Sequence, residues 1–227
     1  MAGRERPTIE PGKVGAAVFD LGGVLIEGGP REVVAFGQRV GLDNARWETL
    51  RRDLFGNGGP WAALERGEIP FEAFVADLKR RVEAAGGSVD VATARDFMGR
   101  PEPLQARSHI RNAMVTAVRA LKRVMPTALL TNNIVEWRPG WSAVFDDPEL
   151  FDVVVDSSAV GARKPETRIY EITRERLRVA HDAIFFVDDI GQNLKAAREL
   201  GWQTLLFTEE HEVLPVLEQL RSSRPSP

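Results

Sequence analysis

Residues 16–26 read AAVFDLGGVLI, from Ala16 to Ile26. Four apolar residues run without alternation into Asp20, and Gly22 and Gly23 follow before Val24, Leu25 and Ile26. Such a short, continuous apolar run predicts a strand buried on both faces of a parallel sheet, since that strand has no solvent side to leave polar. Asp20 then stands at the strand's carboxyl end, the edge where open α/β sheets gather ligand sites. The glycines allow a sharp turn and a close approach of main chain to whatever Asp20 touches. Alone, the stretch reads equally well as a strand closed by a turn-forming aspartate, so the rest of the chain has to decide.

Downstream the pattern recurs. Ala128–Leu130 runs into Thr131, Asn132 and Asn133; Val153–Val155 runs into Asp156; Ile184–Val187 runs into Asp188 and Asp189; Thr204–Phe207 makes a fifth strand. Helical periodicity separates them. A helix is expected over Ser108–Met125, capped by Ser108, striped by Ile110, Ala113, Met114, Ala117, Val118 and Leu121, and stopped by Pro126. Others are expected near Glu166–Leu177 with Pro165 in the first turn, near Gln192–Leu200 closed by Gly201, and near Val213–Leu220. Strands alternating with helices predict an α/β fold with a doubly wound parallel sheet, a Rossmann-like core. Its carboxyl edge would gather Asp20, Thr131, Asn132, Asp188 and Asp189.

The stretch after the first strand departs from this alternation. Phe71, Phe74, Val75, Leu78 and Val82 fall on one helical face. Weaker helical patterns cover Arg31–Val40, Asp43–Phe55, Pro60–Arg66 and Val91–Met98, with no strand-like run among them. Gly28-Gly29-Pro30 and the stretch Gly99–Pro103 read as joints. The expected organisation is a core of residues 14–27 and 100–221, an inserted small helical cap of residues 28–99, and flexible ends at 1–13 and 222–227.

Composition narrows the function. With 43% hydrophobic and 28% charged residues in 227, the chain is an ordinary globular one. A net charge of −3 and a pI near 5.8 give no electrostatic case for nucleic acid or an anionic membrane. The absence of cysteine excludes disulfides, thiolate catalysis and cysteine metal sites. His109, His181 and His211 are scattered, which disfavours a histidine-rich metal centre, and His181 reads as structural. No stretch reads as a signal peptide or spanning helix, so the expected location is cytoplasmic. The oligomeric state is left open. Trp61, Trp137 and Trp141 are candidates for lining a pocket between cap and core, although packing is their more usual role. Glu65 and Arg66 read as a solvated helix face, and Arg51-Arg52 and Lys79-Arg80-Arg81 as surface charge.

Together, Asp20-Leu21-Gly22-Gly23-Val24, Leu130-Thr131-Asn132, Lys164-Pro165 and Val187-Asp188-Asp189 resemble the four motifs of the haloacid dehalogenase-like superfamily, across roughly Val14 to Phe207. The stretches Trp61–Ile69, Leu130–Asn133 and Val187–Lys195 are similar to the phosphatase-like amino-terminal domain of soluble epoxide hydrolase and its free-standing bacterial relatives. The resemblance implies a Mg²⁺-dependent phosphatase acting on a small phosphate monoester, a sugar or lipid phosphate, with Asp20 as the nucleophile that becomes an aspartyl-phosphate. It implies metal ligands at the Asp20 carboxylate, the Gly22 carbonyl and Asp189, with Asp188 binding directly or through water. It implies phosphoryl contacts from the Thr131 hydroxyl and the Asn132 main chain, with Lys164 neutralising Asp20 and the transferring group.

One position departs from the pattern. The family's phosphatases usually carry a second aspartate two residues after the nucleophile, as general acid and base, and here Gly22 stands there. Losing such a group removes about 10²–10⁴-fold in rate. Two other readings therefore stand beside the phosphatase: a non-catalytic phosphate-binding or interaction protein, and a 2-haloacid dehalogenase. The dehalogenase also uses an aspartate nucleophile but needs no metal, which Asp188 and Asp189 argue against.

Overall fold

The protein is described here from a computed structural model, over residues 9–27, 36–98, 109–139, 145 and 149–224. Five strands, β1 (Ala16–Phe19), β2 (Thr127–Thr131), β3 (Val153–Asp156), β4 (Ile184–Asp188) and β5 (Gln203–Leu206), form one sheet of order β3-β2-β1-β4-β5. Every pairing is parallel. The helices are α1 (Asn44–Phe55), α2 (Pro60–Glu65), α3 (Phe71–Ala84), α4 (Val91–Met98), α5 (Asn112–Lys122), α6 (Ser157–Val160), α7 (Thr167–Leu177), α8 (Gly191–Glu199) and α9 (Glu210–Ser222). Among the described residues no helix is long and apolar enough to cross a membrane.

β1 lies at the centre, which is why all four of its residues are buried. Its side chains alternate between two cores. Ala17 and Phe19 join Leu129, Phe185 and Val187 under α5 and α9, while Ala16 and Val18 join Leu130, Ile184 and Phe186 under α7 and α8. Burying each large side chain contributes about 1.5–3 kcal/mol. Register sets the active edge. Phe19 lies opposite both Leu129 and Val187, so the three strands end within two residues of one another at the same edge. The Asp20 N–H still donates to the Val187 carbonyl at 3.0 Å.

Helices α1 to α4 surround a separate apolar cluster that includes Phe36, Trp47, Leu54, Phe74, Leu78 and Val82. All five residues of the α3 stripe are buried. Asp43 caps α1, its carboxylate accepting from the Arg46 N–H at 2.8 Å. Ile134, just beyond β2, is fully buried in this same cluster, so the β2 loop is plugged into the helices.

Some local expectations differ. The helix expected over 108–125 is α5, Asn112–Lys122. Its forerunner is extended instead: the Arg111 N–H donates to the Leu25 carbonyl at 2.9 Å and the Glu27 N–H to the His109 carbonyl at 2.7 Å. Ile26 and Ile110 form an antiparallel bridge, a tertiary pairing that overrides local helical periodicity. Ala113 is exposed and Val115 takes its place in the core. Pro165 precedes α7 rather than opening it; Glu166 is the N-cap, and the Lys164–Pro165 peptide is cis. Residues 9–13, expected to be loose, are ordered: Pro11–Lys13 form a 3-10 turn and the Glu10 N–H donates to the Gln203 side chain at 2.7 Å. Ser108, Trp141 and the joints Gly28–Pro30 and Gly99–Pro103 lie outside the described residues.

Candidate active site

The ends of β1 and β4 deliver three carboxylates. Asp20 follows β1, with 7% of its surface exposed; Asp188 closes β4 and is wholly buried; Asp189 follows it. Each offers an oxygen, and the three oxygens lie within 4.8 Å of one another. Lys164 reaches them from the loop before α7, 1% exposed, with its Nζ 2.8 Å from Asp20 Oδ1 and 2.7 Å from Asp188 Oδ2. The lysine is itself aimed by Asn132. The Asn132 amide donates to the Lys164 carbonyl at 2.9 Å, and its Oδ1 accepts from the Lys164 N–H at 2.8 Å.

The two buried aspartates have different surroundings. Asp188 accepts from Lys164, from the Ile190 N–H at 2.7 Å and from the Asn193 amide at 3.1 Å, so both its oxygens are engaged. Asp20 accepts from Lys164 and from the Leu21 N–H at 2.7 Å. Burial pushes the Asp20 carboxyl up to about 8; Lys164 pulls it down and Asp188 and Asp189 push it further up. Burial also raises Asp189, with Asp188 adding to the effect. Burial alone would lower Lys164, but Asp188 and Asp20 outweigh it and hold the ammonium above its usual value.

Three carboxylates against one ammonium leave a formal excess of two negative charges when all are ionised. In addition, Asp189 Oδ1 is buried without a hydrogen-bond partner. A buried carboxylate oxygen with no donor is costly. A hard divalent cation with oxygen ligands satisfies both the charge and the orphaned atom, so the residues present fit one. Gly23 makes the arrangement sterically possible. Its φ is 81°, and a Cβ there would fall on the Asp189 carboxylate. A Cβ on Gly22 would meet nothing within 4 Å.

Above this cluster lies a cavity of about 680 Å³. Asp20, Gly22, Asn132, Lys164 and Asp189 line its floor, and Arg51, Phe55, Trp61 and Glu65 line it from the helical side. Thr131 is 2% exposed, and Asp188 lies behind Lys164; neither is among the cavity's lining residues. The structure thus brings Asp20, Gly22, Asn132, Lys164 and Asp189 to one cavity, with Asp188 bonded to Lys164 outside its lining and Thr131 buried next to Asn132.

Several residues carry more than the sequence suggested. Glu65 and Arg66 are not a solvated face. Glu65 is 6% exposed and pairs with Arg163 at 2.5 Å, while Arg66 bonds Glu68 at 2.7 Å and Glu166 at 2.9 Å. Burial raises the Glu65 carboxyl, and Arg163 only partly offsets it. Arg163 also donates to Asn57 at 3.0 Å, so the residue before Lys164 is tied to the helical insertion. Arg51, read as plain surface charge, faces the cavity while held by Glu48. Trp61 lines the cavity, with the Trp137 ring 5.8 Å behind it. His181 is structural, accepting from the Trp202 indole N–H at 3.0 Å. Asn193 and Glu65 were legible only as parts of the Val187–Lys195 and Trp61–Ile69 stretches; the pairing of Glu65 with Arg163, 98 residues apart, had no local signal.

Comparison with known proteins agrees with this geometry. The family model for haloacid dehalogenase-like hydrolases matches residues 14–201. Mouse acyl-CoA dehydrogenase family member 10 is 32% identical over 208 residues, covering 90% of this chain and 19% of that protein. Rat bifunctional epoxide hydrolase 2 is 28% identical over 184 residues, covering 73% of this chain and 31% of that protein. This chain therefore spans about a fifth and about a third of those two relatives. A sesquiterpene phosphatase from Aspergillus oryzae is 28% identical over 210 residues, covering 90% of this chain and 95% of that one. Two solved structures share the fold. A HAD-like family hydrolase from Porphyromonas gingivalis superposes with a TM-score of 0.68 at 22% identity, over 92% of this chain and 98% of that one. A HAD family enzyme from Bacteroides thetaiotaomicron, solved with magnesium and inorganic phosphate, superposes with a TM-score of 0.59 at 20% identity, over 88% and 98%. A single family matched from first strand to last motif, on a fold that gathers its motif residues at one sheet edge, settles the assignment: the chain belongs to the haloacid dehalogenase-like hydrolases.

Proposed function

We propose that the protein is a Mg²⁺-dependent phosphatase of small phosphate monoesters that works through an aspartyl-phosphate on Asp20. The observation that carries the reading is the cluster of Asp20, Asp188 and Asp189 around Lys164, with Asp189 Oδ1 buried and unpartnered. In this reading Asp20, Asp189 and the Gly22 carbonyl hold the cation, with Asp188 in the same cluster. Bound there, a divalent cation screens the repulsion between carboxylate and phosphate and polarises the phosphoryl oxygens. The Asp20 oxygen attacks phosphorus, the P–O bond to the leaving group breaks with its electron pair going to the departing oxygen, which takes a proton from water, and water then hydrolyses the acyl phosphate. Lys164 neutralises Asp20 and the transferring group; Asp188 and Asn132 hold Lys164 and its loop in place, and Asn193 holds Asp188. The Thr131 hydroxyl and the Asn132 main chain are assigned to the phosphoryl oxygens. The helical insertion of residues 28–99 acts as the cap that excludes water from the site.

The named phosphatase among the relatives, and the magnesium and phosphate in the Bacteroides structure, support this reading. The test is hydrolysis of a panel of phosphate esters with and without Mg²⁺. Turnover is expected only with the cation, and Asp20→Asn is expected to lose it while keeping the fold by circular dichroism. Full activity of that variant, or undiminished activity in excess chelator, would sink the proposal.

A further inference from the structure

Resting on the phosphatase reading, the cavity above Asp20 narrows the substrate. Three features of its walls bear on the alcohol that leaves. First, its cations are already committed. Lys164 pairs with Asp20 and Asp188, Arg163 with Glu65 at 2.5 Å, and Arg51 with Glu48 through bonds of 3.0 and 2.8 Å. Among the described residues, every cation on these walls already has a carboxylate partner, so none stands unpaired for a second anionic group on the substrate.

Second, among the described residues no acid on the cavity's lining is disengaged. Its lining carboxylates are Asp20, Asp189 and Glu65. Asp20 and Asp189 belong to the cluster on the floor, and Glu65 is locked on Arg163. Gly22 brings no side chain. A leaving oxygen that is not protonated must depart as a stable anion, which favours a leaving group of low pKa.

Third, one wall is aromatic. Phe55 and Trp61 both line the cavity, their ring centroids 5.7 Å apart. Phe74, wholly buried, packs behind them at 6.2 and 5.3 Å, so the wall is braced. A braced wall of two rings offers a stacking and edge surface to a third ring at little entropic cost.

From these features together we infer that the site is built for phosphate esters of uncharged phenols, with Trp61 and Phe55 binding the ring. The Asp20 oxygen forms a bond to phosphorus as the phosphorus–aryloxide bond breaks, and the bonding pair leaves with the phenolate, which takes its proton from water. Water then attacks the acyl phosphate, releasing inorganic phosphate and restoring the Asp20 carboxylate.

Three esters and one acyl phosphate separate ring recognition from leaving ability: phenyl phosphate carries both, benzyl phosphate only the ring, acetyl phosphate only the good leaving group, and ethyl phosphate neither. With Mg²⁺, the expected order has phenyl phosphate highest in kcat/KM, with low KM following the ring and high kcat following leaving ability. Trp61→Leu should raise the KM of phenyl and benzyl phosphate about three- to tenfold relative to that of acetyl phosphate. Phe55→Leu should act the same way, which covers the case in which one variant disturbs the fold. An independent arm needs neither variant nor turnover: phenylphosphonate should bind the wild-type protein with Mg²⁺ about tenfold tighter than methylphosphonate. Equal binding of the two phosphonates, or a KM ratio unmoved in both folded variants, overturns the inference. So does a lower KM for 4-carboxyphenyl phosphate than for phenyl phosphate. If no ester turns over while phenylphosphonate still binds preferentially, the phosphatase reading fails and ring recognition stands.

Discussion

Gly22→Asp tests how this site works without a proton donor. The substitution is structurally open: a Cβ at Gly22 meets nothing within 4 Å, and its φ lies outside the left-handed region. The new carboxylate would stand at the cavity floor, since Gly22 already lines it. It would join three aspartates that already exceed their lysine by two charges, and like charges raise a carboxyl's pKa. That excess favours the protonated form a general acid needs in the cation-free site; with the cation bound, the existing charges balance and partial burial at the cavity floor is what still favours it. The gain available from general acid catalysis is about 10²–10⁴-fold, or roughly 3–5 kcal/mol in the barrier. The backbone cost of leaving glycine at an ordinary φ is at most about 1 kcal/mol, so catalysis wins. The assay is kcat for benzyl and ethyl phosphate against phenyl phosphate, with Mg²⁺, in wild type and variant. The variant should raise kcat for the two alkyl esters by about a hundredfold or more and change phenyl phosphate much less. Gly23→Ala, one residue on, is the steric control: its Cβ collides with Asp189, so activity should fall for every ester. If wild type already cleaves the alkyl esters as fast as phenyl phosphate and Gly22→Asp only slows it, the reasoning is refuted.

Three further outcomes follow from the electrostatics. Arg163→Met leaves the buried Glu65 without its partner and should destabilise the protein by about 3–5 kcal/mol in urea unfolding, whereas adding Glu65→Leu should recover most of that loss; a loss under 1 kcal/mol for the single variant, measured as about that size, would count against a buried pair. The cation-free protein should lose thermal stability as pH rises from about 4 to about 8, because Asp20, raised by burial, stays protonated in the native state over that window and is ionised in the unfolded chain. Since a bound cation needs the ionised carboxylate, the rise in Tm on adding Mg²⁺ should be larger at pH 8 than at pH 5.5, and equal shifts at both would contradict this.

The parts of this protein that local pattern encodes were legible in the sequence. The unbroken apolar run of Ala16–Phe19 announced a strand with no solvent face, and it is the middle strand. The spacing from Phe71 to Val82 announced one helical face, and that face is buried. Asp20, Asp188 and Asp189 could be expected together because parallel strands share a carboxyl edge, and register then brings their oxygens within 4.8 Å. What local pattern could not carry was decided by tertiary contact. The start of α5 was moved to Asn112 because residues 109–111 bond to residues 25–27. Glu65 and Arg66 look like ordinary helix-surface charge until the fold places Arg163 and Glu166 against them. Two adjacent glycines look alike in sequence, yet only Gly23 has the left-handed φ and the aspartate against it. Periodicity records which side of its own element a residue occupies, whereas a charge's partner, solvation and pKa depend on groups brought close from distant parts of the chain.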